Sequence, residues 1–332
     1  MSDNRFDFLE IGDARPPRRV PPPPAAPSPA SAGYAPAAPS APAAEPEWQI
    51  VEIIGGYGTN YGEFSAPGGL AVDLSGNLYV ADSYNHRIQR ISPQGDVAPL
   101  GSRGQRDGQF LNPQAVIVDA EYRIFVLEQG NCRVQAFTAQ GECLGTFGAP
   151  GGGLSQLRAP SGITLGPCGS LYIADTGNRR VTRWARYGQP LALIAQSPTG
   201  GAYFGSPQGV AVDRSGRLYV ADRARGILLV FTPSGQPERV IGGPGRGPGQ
   251  FGEPQDLAID DEGRIYVVEA GNDRLQILDA RGACLQLIDS APGLGSFSGP
   301  SGIAVSRNGT VYLADTGNHR IFRLERVAEP QE

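Results

Sequence analysis

The residues best suited to chemistry in this 332-residue chain come in sets: an acid, Asn three residues later, and Arg five later. Full sets are Asp82, Asn85, Arg87; Asp175, Asn178, Arg180; and Asp315, Asn318, Arg320. Glu128, Asn131, Arg133 and Glu269, Asn272, Arg274 are close variants. One such set could serve acid–base catalysis or anion capture, because a carboxylate and a guanidinium in bonding reach stabilise each other's charge. Repetition at a fixed register reads differently. A bond that stabilises one structural unit must recur wherever the unit recurs, so the acid is expected to accept bonds from its Arg and from turn amides. No catalytic residue is assigned.

Histidine is scarce. His86 and His319 follow the Asn of the first and last sets, and two imidazoles at equivalent places in separate units are too far apart to share a zinc, so no metal site is expected. All 28 basic residues are Arg, which removes Schiff-base and amine-nucleophile chemistry, and no cofactor is implied. The four cysteines form no C-x-x-C pair that would make a zinc ribbon or redox dithiol. Cys143 and Cys284 read as small apolar fillers, matched with Val97 and Leu191, whereas Cys132 and Cys168 fall in turns. That scatter suits a reducing cytoplasm. Between Arg158 and Arg225 nine Arg stand against three acids, a net of +6 in a chain of net −5. Arg179, Arg183, Arg186, Arg223 and Arg225, with Trp184 and Tyr187 interleaved, form the candidate anion-binding group. They would bind phosphate or carboxylate only if they converge on one surface.

The elements that position these residues follow from an internal period. A proline recurs at Pro67, Pro113, Pro160, Pro207, Pro254 and Pro300, with spacings of 46, 47, 47, 47 and 46 residues. Each is followed by an apolar–small–apolar triplet such as Leu70-Ala71-Val72, then a turn, usually with Gly. A second apolar run ends on the acid, a third strand begins at the Arg, and a fourth lies past another Gly turn. Four short strands in each of six periods predict an all-β fold, a six-bladed β-propeller of four-stranded antiparallel blades. An aromatic three residues before the proline (Phe64, Phe110, Phe204, Phe251 and Phe297, with Leu157 as substitute) predicts packing between neighbouring blades.

The sixth period stops after its third strand, and Trp48 to Gly56 matches the fourth-strand segment Glu238 to Gly243. The N-terminal strand is therefore expected to complete the last blade and remove the open edges. Asp82-x-x-Asn85-His86-Arg87-Ile88 and Asp315-x-x-Asn318-His319-Arg320-Ile321 carry the signature of the NHL-repeat family, which the chain resembles over residues 47–327. The resemblance implies a six-bladed propeller. Some similar propellers are lyases that use histidines and a metal, a supply of His this chain lacks. Blade four departs from the pattern, with Arg225 and Ile227 in place of the Asn and Arg.

Function is to be sought where blades differ. The residue after each blade proline is small or polar, and places Gln114, Gln208 and Gln255 at the expected channel mouth. The next position is Gly or Ala in every blade but the fifth, where Asp256 stands, with Glu253 nearby. These five are the candidate channel-mouth residues. Residues 1–46 are rich in Pro and Ala and too poor in large apolar side chains to offset their ordering entropy. They read as a disordered tether with an acidic-hydrophobic docking motif at residues 6–11, and residues 328–332 as a C-terminal tail. No signal segment or apolar span points to a membrane. The reading is a non-catalytic scaffold, rather than an enzyme, that binds a protein partner through its loop-rich face and tail. One alternative is a lyase- or lactonase-type enzyme acting on a small molecule with a metal at the channel mouth. Another is RNA or anionic-ligand binding by the Arg sector, which the net charge of −5 disfavours for nucleic acid.

Overall fold

The structure is a computed structural model that describes residues 48–195, 201–291 and 295–327. The docking motif at residues 6–11, the rest of the N-terminal tail and the tail 328–332 lie outside the described residues. Six four-stranded antiparallel sheets form, one per sequence period. In the second blade the strands run in chain order from the inside outward: Pro113–Val118, Ile124–Glu128, Arg133–Phe137 and Cys143–Phe147. The inner strand of each blade touches those of its two neighbours, which closes the ring of six.

Close approach at the axis explains the small residues there. A Cβ on Gly162 would meet the Gln208 carbonyl at 2.4 Å, and one on Gly302 would meet the Gly68 carbonyl at 2.2 Å. Second strands are buried along their length, Tyr312 of blade six alone being partly exposed, as a central strand with sheets packed on both faces must be. The core is accordingly divided into six apolar clusters, each between two neighbouring blades. Phe64, Phe110, Leu157, Phe204, Phe251 and Phe297 each enter one of them and are almost wholly buried, as the period predicts. Removing one such Phe ring would cost about 3–5 kcal/mol.

The ring is closed by the N-terminus. Trp48–Ile54 pairs antiparallel with Arg320–Arg326 as the outer strand of blade six, with a bulge between Ile50 and Glu52. Trp48 is buried against Tyr266, with ring centroids 5.8 Å apart in an edge-on arrangement, between the guanidiniums of Arg264 and Arg326. Its backbone is gripped from blade five: Gln286 Oε1 accepts the Trp48 N–H at 2.8 Å, and Gln286 Nε2 donates to the Trp48 carbonyl at 2.9 Å. The closing strand thus pairs with one blade and is clamped by the next.

Deleting residues 47–55 is expected to abolish the cooperative thermal transition or to drive aggregation, through loss of the Trp48 burial and exposure of the edge of Arg320–Arg326. Circular dichroism during heating checks this, and an unchanged melting temperature would refute closure by this strand.

Candidate functional site

The acid ending each second strand is fully buried: Asp82, Glu128, Asp175, Asp222, Glu269 and Asp315 are 0% exposed. A buried carboxylate must be surrounded by donors or it becomes prohibitively costly. In blade one, Asp82 accepts the Ser65 N–H at 2.7 Å, Asn85 Nδ2 at 2.9 Å, Arg87 Nε at 2.7 Å and Gln89 Nε2 at 3.1 Å. The other guanidinium nitrogens of Arg87 donate to the carbonyls of Thr59, Asn60 and Glu63, and Asn85 Nδ2 donates to Gly58. Arg133, Arg180 and Arg274 repeat this reach into the loop that precedes their blade. Asn178 and Arg180 bond Asp175, and Asn318 and Arg320 bond Asp315, at 2.7 to 2.8 Å. These residues hold the loops between blades, with every carboxylate engaged from several sides.

Sequence reasoning missed three partners of this network. Gln89, Gln135 and Gln276 are buried on the third strand seven residues after the acid and donate to it. Ser83, Thr176 and Thr316 lie one residue after the acid, and each hydroxyl donates to the carbonyl of the next blade's Pro113, Pro207 or Pro67 at 2.6 to 2.7 Å. Asp73, Asp119, Asp213 and Asp260 fold the first turn by accepting backbone N–H groups, and Asp73 also takes the hydroxyl of Tyr79. Burial beside Asp73 pushes the Tyr79 phenol up to about 12. Recurrence at a fixed register was the available signal in all three cases.

Both histidines are clips between blades. His86 adopts φ +56° and its Nδ1 accepts the Asn112 N–H of blade two at 3.0 Å. His319 adopts φ +58° and accepts the Ala66 N–H of blade one at 3.0 Å. The two imidazoles therefore flank blade one. Among the described residues no group of three or more His, Cys, Asp or Glu is arranged to hold a metal ion.

The Arg sector does not converge. Arg223 pairs with Glu253 at 2.6 Å, and Arg225 reaches the Tyr203 and Ala202 carbonyls while standing 3.7 Å from Asp222. Arg225 thus holds the loop that Arg holds from the third strand elsewhere, and Asp222 takes two backbone N–H groups, of Gly205 and Ser206, in place of the Asn and Arg. Arg183 stacks on Tyr172, while Arg186 leans on Tyr187 in the turn at the opposite end of the third strand. Of the five candidates, Arg179, exposed beside Asn178, and Arg183, stacked on Tyr172, make no ion pair among the described residues. The cysteines also need correction. Cys143 is exposed rather than a buried filler, because outer strands face solvent, and its register partner in blade three is Pro190, not Leu191.

The axial channel holds a cavity of about 250 Å³. Gln114, Gln208 and Gln255 line it together with Asp256. Glu253 does not join them; its backbone takes φ +50° and its side chain turns to Arg223 in a cleft between blades four and five. Asp256 Oδ1 accepts the Leu257 N–H at 2.9 Å and Oδ2 accepts the Ile303 N–H of blade six at 3.2 Å. Burial pushes its carboxyl up to about 7 against the opposing pull of those two donors.

Arg274→Ala, which leaves fully buried Glu269 without its main partner, is expected to lower unfolding free energy by about 3–5 kcal/mol in urea denaturation. Arg225→Ala, at a half-exposed site, should cost far less. Burial and nearby Arg103 hold His86 below the usual imidazole value, so the unfolded chain binds its proton more readily than the folded one. Stability contributed by His86 is present above about 6.5 and is lost as pH falls through the lower folded value. Denaturation across that window should show a smaller pH slope in His86→Ala than in the parent protein.

A model of the NHL repeat matches residues 64–91 and 297–324, the stretches that hold the two Asn-His-Arg signatures. A second family model, described as a 6-bladed beta-propeller, matches residues 204–287. No curated protein matches the sequence significantly. Among solved structures, a protein of unknown function from Bacteroides thetaiotaomicron superposes with TM-score 0.68 at 18% identity, covering 85% of this chain and 77% of that one. Virginiamycin B lyase from Staphylococcus aureus gives 0.57 at 14%, covering 85% and 100%. A gluconolactonase from Xanthomonas campestris gives 0.60 at 16%, covering 80% and 88%. At such identities the likeness is one of fold. The chain thus carries two matched NHL repeats, at the stretches with the Asn-His-Arg signatures, within a six-bladed β-propeller.

Proposed function

We propose that the protein is a non-catalytic binding scaffold that engages a protein partner through its loop-rich face, with the tail motif at residues 6–11 as a second attachment point. Three tyrosines of blade one carry this reading. Tyr57, Tyr61 and Tyr84 are exposed by 75%, 66% and 68%, on the loops fixed by the Asp82 network. Tyr57 rests on the His319 ring at 4.8 Å, and the Arg87 guanidinium lies over Tyr61 at 5.9 Å. The Tyr57 and Tyr61 rings are thus supported on one side and open to solvent on the other. Tyr combines a large apolar surface with a hydroxyl at small entropic cost, the profile of an interface anchor.

Chemistry weighs in the same direction. The acid, Asn and Arg of the repeated sets are bonded to one another and to the loop before their blade, which commits them to holding structure. The lyase and the gluconolactonase share the fold, and fold alone transfers no activity. The domain reading, a tether at residues 1–46 and a propeller over residues 47–327, belongs to the same proposal.

Quantitative affinity capture tests it, with the full chain, a Tyr57→Ala, Tyr61→Ala, Tyr84→Ala triple variant, and a chain lacking residues 1–46. The triple variant should melt like the parent and recover about tenfold less partner. Loss confined to the truncated chain would move the contact to the tail, and undiminished capture by both variants would overturn the proposal.

A further inference from the structure

The axial channel has its own chemistry, separate from the loop face. Among the described residues Asp256 is the only charged side chain that lines it, at a ring position held by Gly or Ala in the other five blades. The exception is sterically conspicuous, because a Cβ on neighbouring Gly209 would already meet Asp256 Cα at 2.5 Å. The carboxylate fits by reaching across to the inner strand of blade six, where Ile303 donates to it. Two backbone N–H bonds occupy part of its accepting capacity, since a carboxylate offers about four lone-pair positions.

Further acceptors line the same channel. Gln208 donates its Nε2 to Ser206 Oγ at 3.2 Å, which leaves its Oε1 to accept. Gln114 and Gln255 line the channel and make no side-chain hydrogen bond among the described residues. Away from these amides the lining side chains are chiefly aliphatic, among them Val72, Val118, Leu165 and Val305. A cavity of about 250 Å³ has the volume of roughly eight waters, or of one short-chain organic molecule.

We propose that this channel is a binding site for a small primary ammonium ion with a short aliphatic chain, its head held by the Asp256 carboxylate and the glutamine amide oxygens. An ammonium group carries three donors and one charge, which matches one carboxylate and neighbouring neutral acceptors. A calcium ion asks for six to eight oxygen ligands, commonly from several carboxylates, which this wall lacks. The aliphatic lining accepts the chain, and the single carboxylate selects cation over anion. Ionisation of a carboxyl that burial holds near 7 also links binding to proton release when the ligand arrives below that pH. The proposal is independent of the loop-face reading, and failure of either leaves the other standing.

Titration calorimetry with n-butylammonium chloride tests it, with n-butanol, sodium butyrate and calcium chloride as comparators. One butylammonium should bind per protein, and butanol and butyrate should bind far more weakly. Asp256→Asn should weaken butylammonium by about tenfold to a hundredfold, the cost of one charged hydrogen bond. Repeating the titration below neutral pH in two buffers of different ionisation enthalpy should reveal released protons in the parent and none in Asp256→Asn. If that variant does not fold, Gln255→Leu and Gln114→Leu, which break no internal bond, should still weaken the ammonium selectively. Absence of butylammonium binding, equal affinity for butanol, binding of calcium instead, or affinity untouched by Asp256→Asn would each overturn the proposal.

Discussion

A carboxylate sealed inside each blade, at the end of its second strand, is the constraint on which this propeller depends. Burial makes the charge intolerable unless donors surround it. The donors are the amide just after the buried aromatic, the turn Asn, the Arg that opens the third strand and, in blades one, two and five, a third-strand Gln. In blade four a second backbone amide stands in for the Asn and Arg. In blade one the donors are Ser65, Asn85, Arg87 and Gln89 around Asp82. Because the Arg fork then extends into carbonyls of the preceding loop, a single buried charge orders a segment some twenty residues upstream. The aromatic plug and the acid are therefore coupled, one filling the space between blades and the other fixing the loop that presents the plug.

Continuity around the ring rests on lighter bonds. Hydroxyls of Ser83, Thr176 and Thr316 reach the next blade's proline carbonyl, and His86, His319 and Asp273 each accept an amide from the next blade. The circle is completed by two elements distant in sequence, Trp48–Ile54 and Arg320–Arg326, so no sheet in blade six is left with an unpaired third strand. Clamping of Trp48 by Gln286 distributes that closure over two blades.

Repetition sets where individuality can appear. Positions inside the network are committed, and variation there is compensated, as when Arg225 supplies from the turn of blade four the loop bonds that a third-strand Arg supplies elsewhere. Positions outside it are free to differ. The tyrosines above blade one and the carboxylate of Asp256 both stand at such places, one on the loop face and one on the axis.

Sequence by itself determined the blade count, the strand order, the closing strand and the role of the aromatic plugs, because each leaves a mark at a fixed spacing of 46 or 47 residues. Asp256 was also legible, as a break in that register. Only the tertiary structure decided the rest. The arginines of blades three and four are close in sequence, yet the alternation of turns between the two faces separates Arg186 from Arg223, and local acids pair Arg223 and Arg225. Glu253 sits three residues from Asp256, yet a left-handed backbone turn sends it away from the channel. Cys143 shares an apolar register but lies on an outer strand, where one side faces water. Spacing along a chain records periodic contacts well; the direction of a side chain and the company it keeps depend on the strands that fold around it.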